Sequence, residues 1–197
     1  MNNSLSMAAV YVVQTLGSLY LLIVLLRFIL QLVRADFYNP LSQFIVKATQ
    51  PLVAPLRRVV PGFAGVDFAS LVLALLVQLV LMAVIIKLMG YALPGVLQLV
   101  VWSLIGITAL FLKVFFFALI ISIILSWVAP RSSNPAALLV HQLCEPVLAP
   151  IRRILPAMGG LDLSPIFAFI ALRLIDMLLI GNLAAATAMP AGLTLAL

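Results

Sequence analysis

Two arginine pairs are the first residues whose type and spacing could do chemistry. Arg57-Arg58 and Arg152-Arg153 each sit in the segment A-P-x-R-R, and each is followed ten residues after its first arginine by an aspartate, Asp67 or Asp162. Guanidinium groups bind lipid phosphate or protein carboxylate bidentately, so each pair is a candidate site for an anionic headgroup or an acidic partner. A basic pair also marks the cytoplasmic side of a membrane protein with no further role. Asp67 and Asp162 stand directly before apolar runs, where a carboxylate oxygen can accept the unpaired N–H groups of a helix start. Their other use is to close the loop by pairing with the arginines.

A second group lies within apolar sequence. Arg173 and Asp176 are three apart on one helix face, and Lys113 is a further charge for which Asp176 is a candidate counter-ion. Intramembrane ionisable residues are costly and usually face inward, so these three could line an ion path or form a structural ion pair. His141, Cys144 and Glu145 have the i, i+3, i+4 spacing of metal ligands. The chain has one histidine and one cysteine, so it cannot by itself complete a tetrahedral site, and we expect no metal and no cofactor. Neither a haem-attachment C-x-x-C-H nor a phosphate-binding glycine loop is present, and no nucleophile constellation can be assembled. The expectation is a protein that is not an enzyme.

The elements that position these residues follow from composition. Of the 197 residues 66% are hydrophobic and only 8% charged, against about a quarter charged in a soluble domain. This is the composition of an integral membrane protein. The net charge of +6 is too dispersed for a nucleic-acid groove, and the expected anionic partner is the lipid headgroup layer. The single cysteine excludes an intrachain disulfide.

A membrane span needs roughly 20 apolar residues. Four stretches qualify, at about 7–33, 68–88, 97–128 and 163–188, and the first is read as a retained span. The connections 34–67 and 129–162 hold seven of the eleven basic residues: Arg34, Lys47, Arg57, Arg58, Arg131, Arg152 and Arg153. By the positive-inside bias both are cytoplasmic, which places both termini and the short 90–96 loop outside. Within these connections Leu41, Phe44, Ile45, Ala48 and Leu52 recur at helical spacing opposite Ser42, Gln43 and Lys47. Leu139, Val140 and Leu143 likewise oppose His141, Gln142 and Glu145. Both patterns predict amphipathic helices in the interface, broken at Pro51 and Pro146.

The chain is built twice. Gln50-PLVAPLRRVVPGFAGVDFAS-Leu71 aligns without a gap onto Glu145-PVLAPIRRILPAMGGLDLSP-Ile166, 95 residues later, and the same offset takes Asn39-Pro40 onto Asn134-Pro135. Residues 7–89 form the first unit and 97–188 the second, each reading span, cytoplasmic loop, span. Two spans per unit make the units parallel, related by an axis along the membrane normal. The predicted fold is therefore all-α, with four transmembrane helices as two parallel two-helix repeats. Each repeat carries a proline-broken amphipathic segment on the cytoplasmic side. Gly17, Ser18, Gly106, Ser122, Ser126 and Ala184-Ala185-Ala186 allow close helix packing.

The doubled P-L-x-x-P-[LI]-R-R-x-x-P-x-x-x-G-x-D core, preceded by N-P and flanked by spans, resembles the YggT family of small bacterial and plastid membrane proteins. The resemblance runs from the first span to the fourth. The first copy departs from the pattern at Ala64 and Ser70, where the second has Gly159 and Pro165. The resemblance implies roles in osmotic-shock tolerance, in organising division or nucleoids, or in assembling a plastid cytochrome complex. It carries no catalytic residues.

Two functional expectations stand together. One is a scaffold or assembly factor of the bacterial inner membrane that presents Arg57, Arg58, Arg152 and Arg153 to anionic lipid or partner proteins. The other is an ion-transport or osmotic-response component using Arg173, Asp176 and Lys113. Because two hairpins offer little surface for a pore, a homo-oligomer or a larger membrane complex is expected.

Overall fold

The computed structural model describes residues 2–63, 65–129, 132–154, 162–190 and 193. Among them the secondary structure is helical, apart from one isolated bridge between Phe63 and Val66. Four helices are long and apolar enough to cross a membrane. They are α1 (Asn2–Leu32), α3 (Phe68–Leu88), α4 (Val96–Val128) and the composite of α6 (Ser164–Ile175), a π-helical segment (Asp176–Gly181) and α7 (Asn182–Ala186). The two shorter amphipathic helices are α2 (Pro40–Val59) and α5 (Pro135–Ile154). At 33 residues α4 is about 50 Å long, well beyond a hydrocarbon core of about 30 Å, and it runs unbroken from Val96.

α1 packs on α3, α3 on α4, and α4 on α5. The core forms where Leu21, Val24, Leu25 and Ile29 of α1, at i, i+3, i+4 spacing, meet Leu73, Leu110 and Leu119. Small residues permit the close approach that apolar helices need in lipid. Gly17 lies against the Leu81 side chain, and a Cβ on Gly106 would lie 2.6 Å from Gln78 Nε2.

The N-P dipeptides start α2 and α5 by the same device. Asn39 Oδ1 accepts the Leu41 N–H at 2.9 Å and Asn134 Oδ1 the Ala136 N–H at 2.9 Å, each with proline at the first helical position. Asn39 also joins the two units, donating through Nδ2 to the Pro135 carbonyl at 2.7 Å. Gln142 Oε1 accepts the Asp36 N–H at 2.9 Å beside it.

One expectation about these helices needs correction. Neither is broken by proline. α2 continues through Pro51 and Pro55, and α5 through Pro146 and Pro150. The prolines stand four apart on one exposed face, so the carbonyls left without an i+4 donor lie together on the outside, where headgroups or water can solvate them. α2 turns Ser42, Ile45, Thr49 and Val53 to the bundle and leaves Leu41, Phe44 and Leu52 exposed. The apolar flank is left free, and on the bundle side Thr49 accepts from Arg27 of α1. In α5 the buried residues are Ala137, Leu139, Leu143, Cys144 and Leu148.

Candidate functional site

The motif's charges form one cluster per unit. In the first unit Phe63 and Val66 exchange backbone hydrogen bonds of 3.2 and 2.9 Å, closing a tight turn in which Gly65 holds φ +82°. Glycine suits this left-handed geometry, and the turn swings Asp67 back onto the end of α2. Arg57 grips the carboxylate with both ends of its fork, Nη2 to Oδ2 at 2.6 Å and Nε to Oδ1 at 3.3 Å. Ser70 Oγ donates to Oδ2 at 2.6 Å, and Arg27 Nε reaches it from α1 at 3.5 Å. Burial pushes the Asp67 carboxyl up, but the bonds from Arg57 and Ser70 and the charge of Arg27 outweigh it and hold the group below the usual range. Asp67 stands at the N-cap of α3, yet its side chain makes no capping bond there. That expectation is corrected: the two guanidiniums claim both oxygens.

In the second unit Arg152 is the shared partner. Its Nε donates to Asp162 Oδ2 at 2.9 Å and its Nη1 to Glu145 Oε2 at 3.0 Å. The other Asp162 oxygen accepts the Ser164 N–H at 2.9 Å, so this aspartate does cap the start of α6. Burial lowers the Arg152 guanidinium, but Asp162 and Glu145 outweigh that and raise it. Desolvation raises the Asp162 carboxyl while Ser164 and Arg152 more than offset it, leaving it below its ordinary value. The two clusters have opposite balance. Two cations share one carboxylate in the first, and two carboxylates share one cation in the second.

In both pairs it is the first arginine that is engaged in this way. Arg58 and Arg153 are exposed, and neither has an ion pair among the described residues. Part of the second copy of the motif, including Pro156, Gly159 and Gly160, lies outside the described residues, as does Arg131.

Arg27 is the residue whose role in the cluster the sequence reading missed. It is 5% exposed and donates to Thr49 Oγ1 at 2.8 Å, the Val46 carbonyl at 3.2 Å and Gln50 Oε1 at 2.9 Å. The 95-residue offset could have found it, since it replaces Arg27 and Thr49 by Ser122 and Cys144. Those two residues are also in contact, and the pair has changed together. Cys144 is 1% exposed, and burial above all pushes its thiol up to about 11. His141 and Glu145 are exposed, so the suggested ligand trio is split between surface and core.

Lys113, Arg173 and Asp176 do meet, around a cavity of about 300 Å³ walled by Leu112, Phe116 and Leu172. Arg173 Nη1 contacts Asp176 Oδ2 at 3.0 Å. The expected inward orientation is corrected for Arg173, whose side chain is 76% exposed on the outside of the bundle. Asp176 opens the π-helical segment, a geometry often found at functional positions.

Four membrane-length helices with an arginine–aspartate clamp built into each of two loops define a class of small multi-pass helical membrane protein. The chain belongs to the CCB3/YggT family, whose model matches it twice in tandem, over residues 6–89 and 101–183. It is 71% identical over 192 residues to an uncharacterised protein of Pseudomonas aeruginosa, covering 97% of this chain and 98% of that one. It is 38% identical over 170 residues to the "Uncharacterized protein YggT" of Escherichia coli, covering 85% and 86%. A stretch of 66 residues is 38% identical to the YlmG homolog protein 2, chloroplastic, of Arabidopsis thaliana, covering 32% of this chain and 25% of that one. None of these names states an enzymatic activity. No solved structure matches the chain.

Proposed function

We propose that the protein is a non-enzymatic scaffold or assembly factor of the bacterial inner membrane, with α2 and α5 on the cytoplasmic surface and both termini outside. Arg58 and Arg153 are its contact groups, offered to acidic partner proteins or anionic headgroups. The observation that carries this reading is the division of labour within each pair. All four arginines are exposed at the last turn of an amphipathic helix, but Arg57 and Arg152 are engaged by carboxylates while the adjacent arginine has no ion pair among the described residues. A topological signal alone does not require the same division twice. The exposed flank of Leu41, Phe44 and Leu52 supports a helix lying in the interface, with its arginines at headgroup level.

Native mass spectrometry of the protein extracted from its own membrane tests this. The Arg58→Ala, Arg153→Ala double variant is expected to lose a stoichiometric partner protein or retained anionic lipid that accompanies the wild type. An unchanged complex contradicts the scaffold reading.

The second reading, ion transport or an osmotic response, is favoured by the meeting of Lys113, Arg173 and Asp176 around one cavity. Asp176→Asn is expected to change ion flux in proteoliposomes if it holds, and to leave flux at background level if the scaffold reading is complete.

A further inference from the structure

We propose that the cavity between the end of α1 and the first half of α2 binds the phosphate group of an anionic phospholipid. This site is separate from the exposed Arg58 and Arg153. The cavity is about 450 Å³, within the range of small-molecule sites, and Arg27, Arg34 and Arg57 all line it. No carboxylate stands among its described lining residues. Asp67 engages Arg27 and Arg57 from behind, and Arg34 has no ion pair among the described residues. Asp36, the nearest acid in sequence to Arg34, turns its Oδ1 to the Tyr38 N–H at 2.9 Å. The cavity is thus cationic in excess of its counter-ions, as an anion site must be.

A further observation points to an occupant. Ser42, on the cavity wall, is 5% exposed and its Oγ has no hydrogen-bond partner, a costly state for a buried hydroxyl that a bound phosphate oxygen would relieve. Arg34 sits at φ +55° where the chain leaves α1, with the Ala35 N–H bonded to the Leu30 carbonyl at 2.8 Å. α3 ends with the same bonding, Tyr91 N–H to the Ile86 carbonyl at 3.1 Å, and there the left-handed residue is Gly90, the residue this cap prefers. α7 closes with the same bonding and Ala188 at φ +52°, so this cap accepts residues other than glycine, and what Arg34 adds is a guanidinium on the cavity wall.

The second unit supplies the comparison. Arg27, Arg34 and Ser42 correspond to Ser122, Ala129 and Ala137, so all three groups are absent from a copy that builds the same helices. The groups are therefore not needed for the architecture. Phosphate is favoured over a carboxylate because several guanidiniums and a hydroxyl can be satisfied at once by its oxygens. A lipid is favoured over a free anion because Leu30, Phe37 and Ile45 wall the rest of the cavity at the end of a membrane-length helix, where glycerol and acyl carbons would lie.

The test uses the full chain in detergent, titrated with phosphatidylglycerol, with phosphatidylethanolamine and with inorganic phosphate, and read by native mass spectrometry. Wild type is expected to hold one phosphatidylglycerol per chain in preference to phosphatidylethanolamine. Arg34→Gly is expected to weaken that binding about tenfold or more, the scale of a lost charge-assisted hydrogen bond, and Ser42→Ala to weaken it as well. Both variants should melt no lower than wild type, since glycine suits the cap and the alanine removes an unsatisfied hydroxyl. Equal phosphatidylglycerol and phosphate binding by wild type and both variants overturns the proposal. Binding of inorganic phosphate lost in Arg34→Gly, with no preference between the lipids, keeps the phosphate chemistry and overturns its lipid source. Neither Arg58 nor Arg153 lines the cavity, so failure here leaves the scaffold reading standing, and the reverse also holds.

Discussion

At Asp67 one carboxylate answers two guanidiniums, and at Arg152 one guanidinium answers two carboxylates, and the difference in burial decides what each is worth. Asp67 and Arg27 are 1% and 5% exposed, whereas Arg152 and Asp162 are 43% and 42% exposed. Removing one member of a buried pair leaves an uncompensated charge and costs about 3–5 kcal/mol, while an exposed pair contributes about 1 kcal/mol or less. Asp67→Asn is therefore expected to lower the melting temperature in detergent far more than Asp162→Asn, and equal losses would contradict the clamp described above. The same residue sets an acid limit. Because the folded carboxyl lies below its unfolded value of about 3.9, its contribution is complete above that pH and is lost as pH falls through the folded value. Thermal melts should show a loss of stability beginning below about pH 4 that Asp67→Asn does not share.

α2 and α5 are helices that carry prolines and continue through them. An interior proline costs about 3 kcal/mol relative to alanine in an isolated helix, so its retention at four positions on exposed faces calls for a role other than stability. Exposed carbonyls of Lys47 and Pro51, freed of their helical donors, are acceptors at the surface where a partner or headgroup would dock. Pro51→Ala with Pro55→Ala is expected to raise the melting temperature and to weaken retention of whatever binds Arg58. A lowered melting temperature would mean that the prolines fix a packing geometry the bundle needs. Sequence periodicity identifies these helices and the apolar stripe of Leu41, Phe44 and Leu52, but it does not say which flank of α2 packs on the bundle. The bundle side carries Ser42, Ile45, Thr49 and Val53, of which Thr49 accepts from the buried Arg27.

For the whole molecule, the four spans and the repeat were legible from composition and from the 95-residue offset, since span length and repeated motifs are one-dimensional properties. The clamp was legible only as one of two uses for Asp67 and Asp162. The choice between cap and ion pair depends on the Phe63–Val66 turn and on Arg27 arriving from another helix, which no local spacing reveals. Lys113, Arg173 and Asp176 line one cavity, but the outward side of Arg173 depends on how the last composite helix sits against α4. The proposed orientation is a claim at this scale. In intact cells with Cys144 replaced by Ser, a cysteine introduced for Tyr91 is expected to react with an impermeant maleimide from outside, and one introduced for Arg58 only after the cells are opened. The opposite pattern would invert the topology and remove α2 and α5 from the cytoplasmic surface.

The central claim is that one arginine of each pair holds the loop and the other holds a partner. It is tested most directly by measuring both the melting temperature and the co-extracted complex for two variants, Arg57→Ala with Arg152→Ala, and Arg58→Ala with Arg153→Ala. The expected result is a separation, in which the first variant melts lower and the second melts like wild type but loses the complex. If both variants lose stability alike, or if the second keeps its complex, the division of labour within the pairs is contradicted.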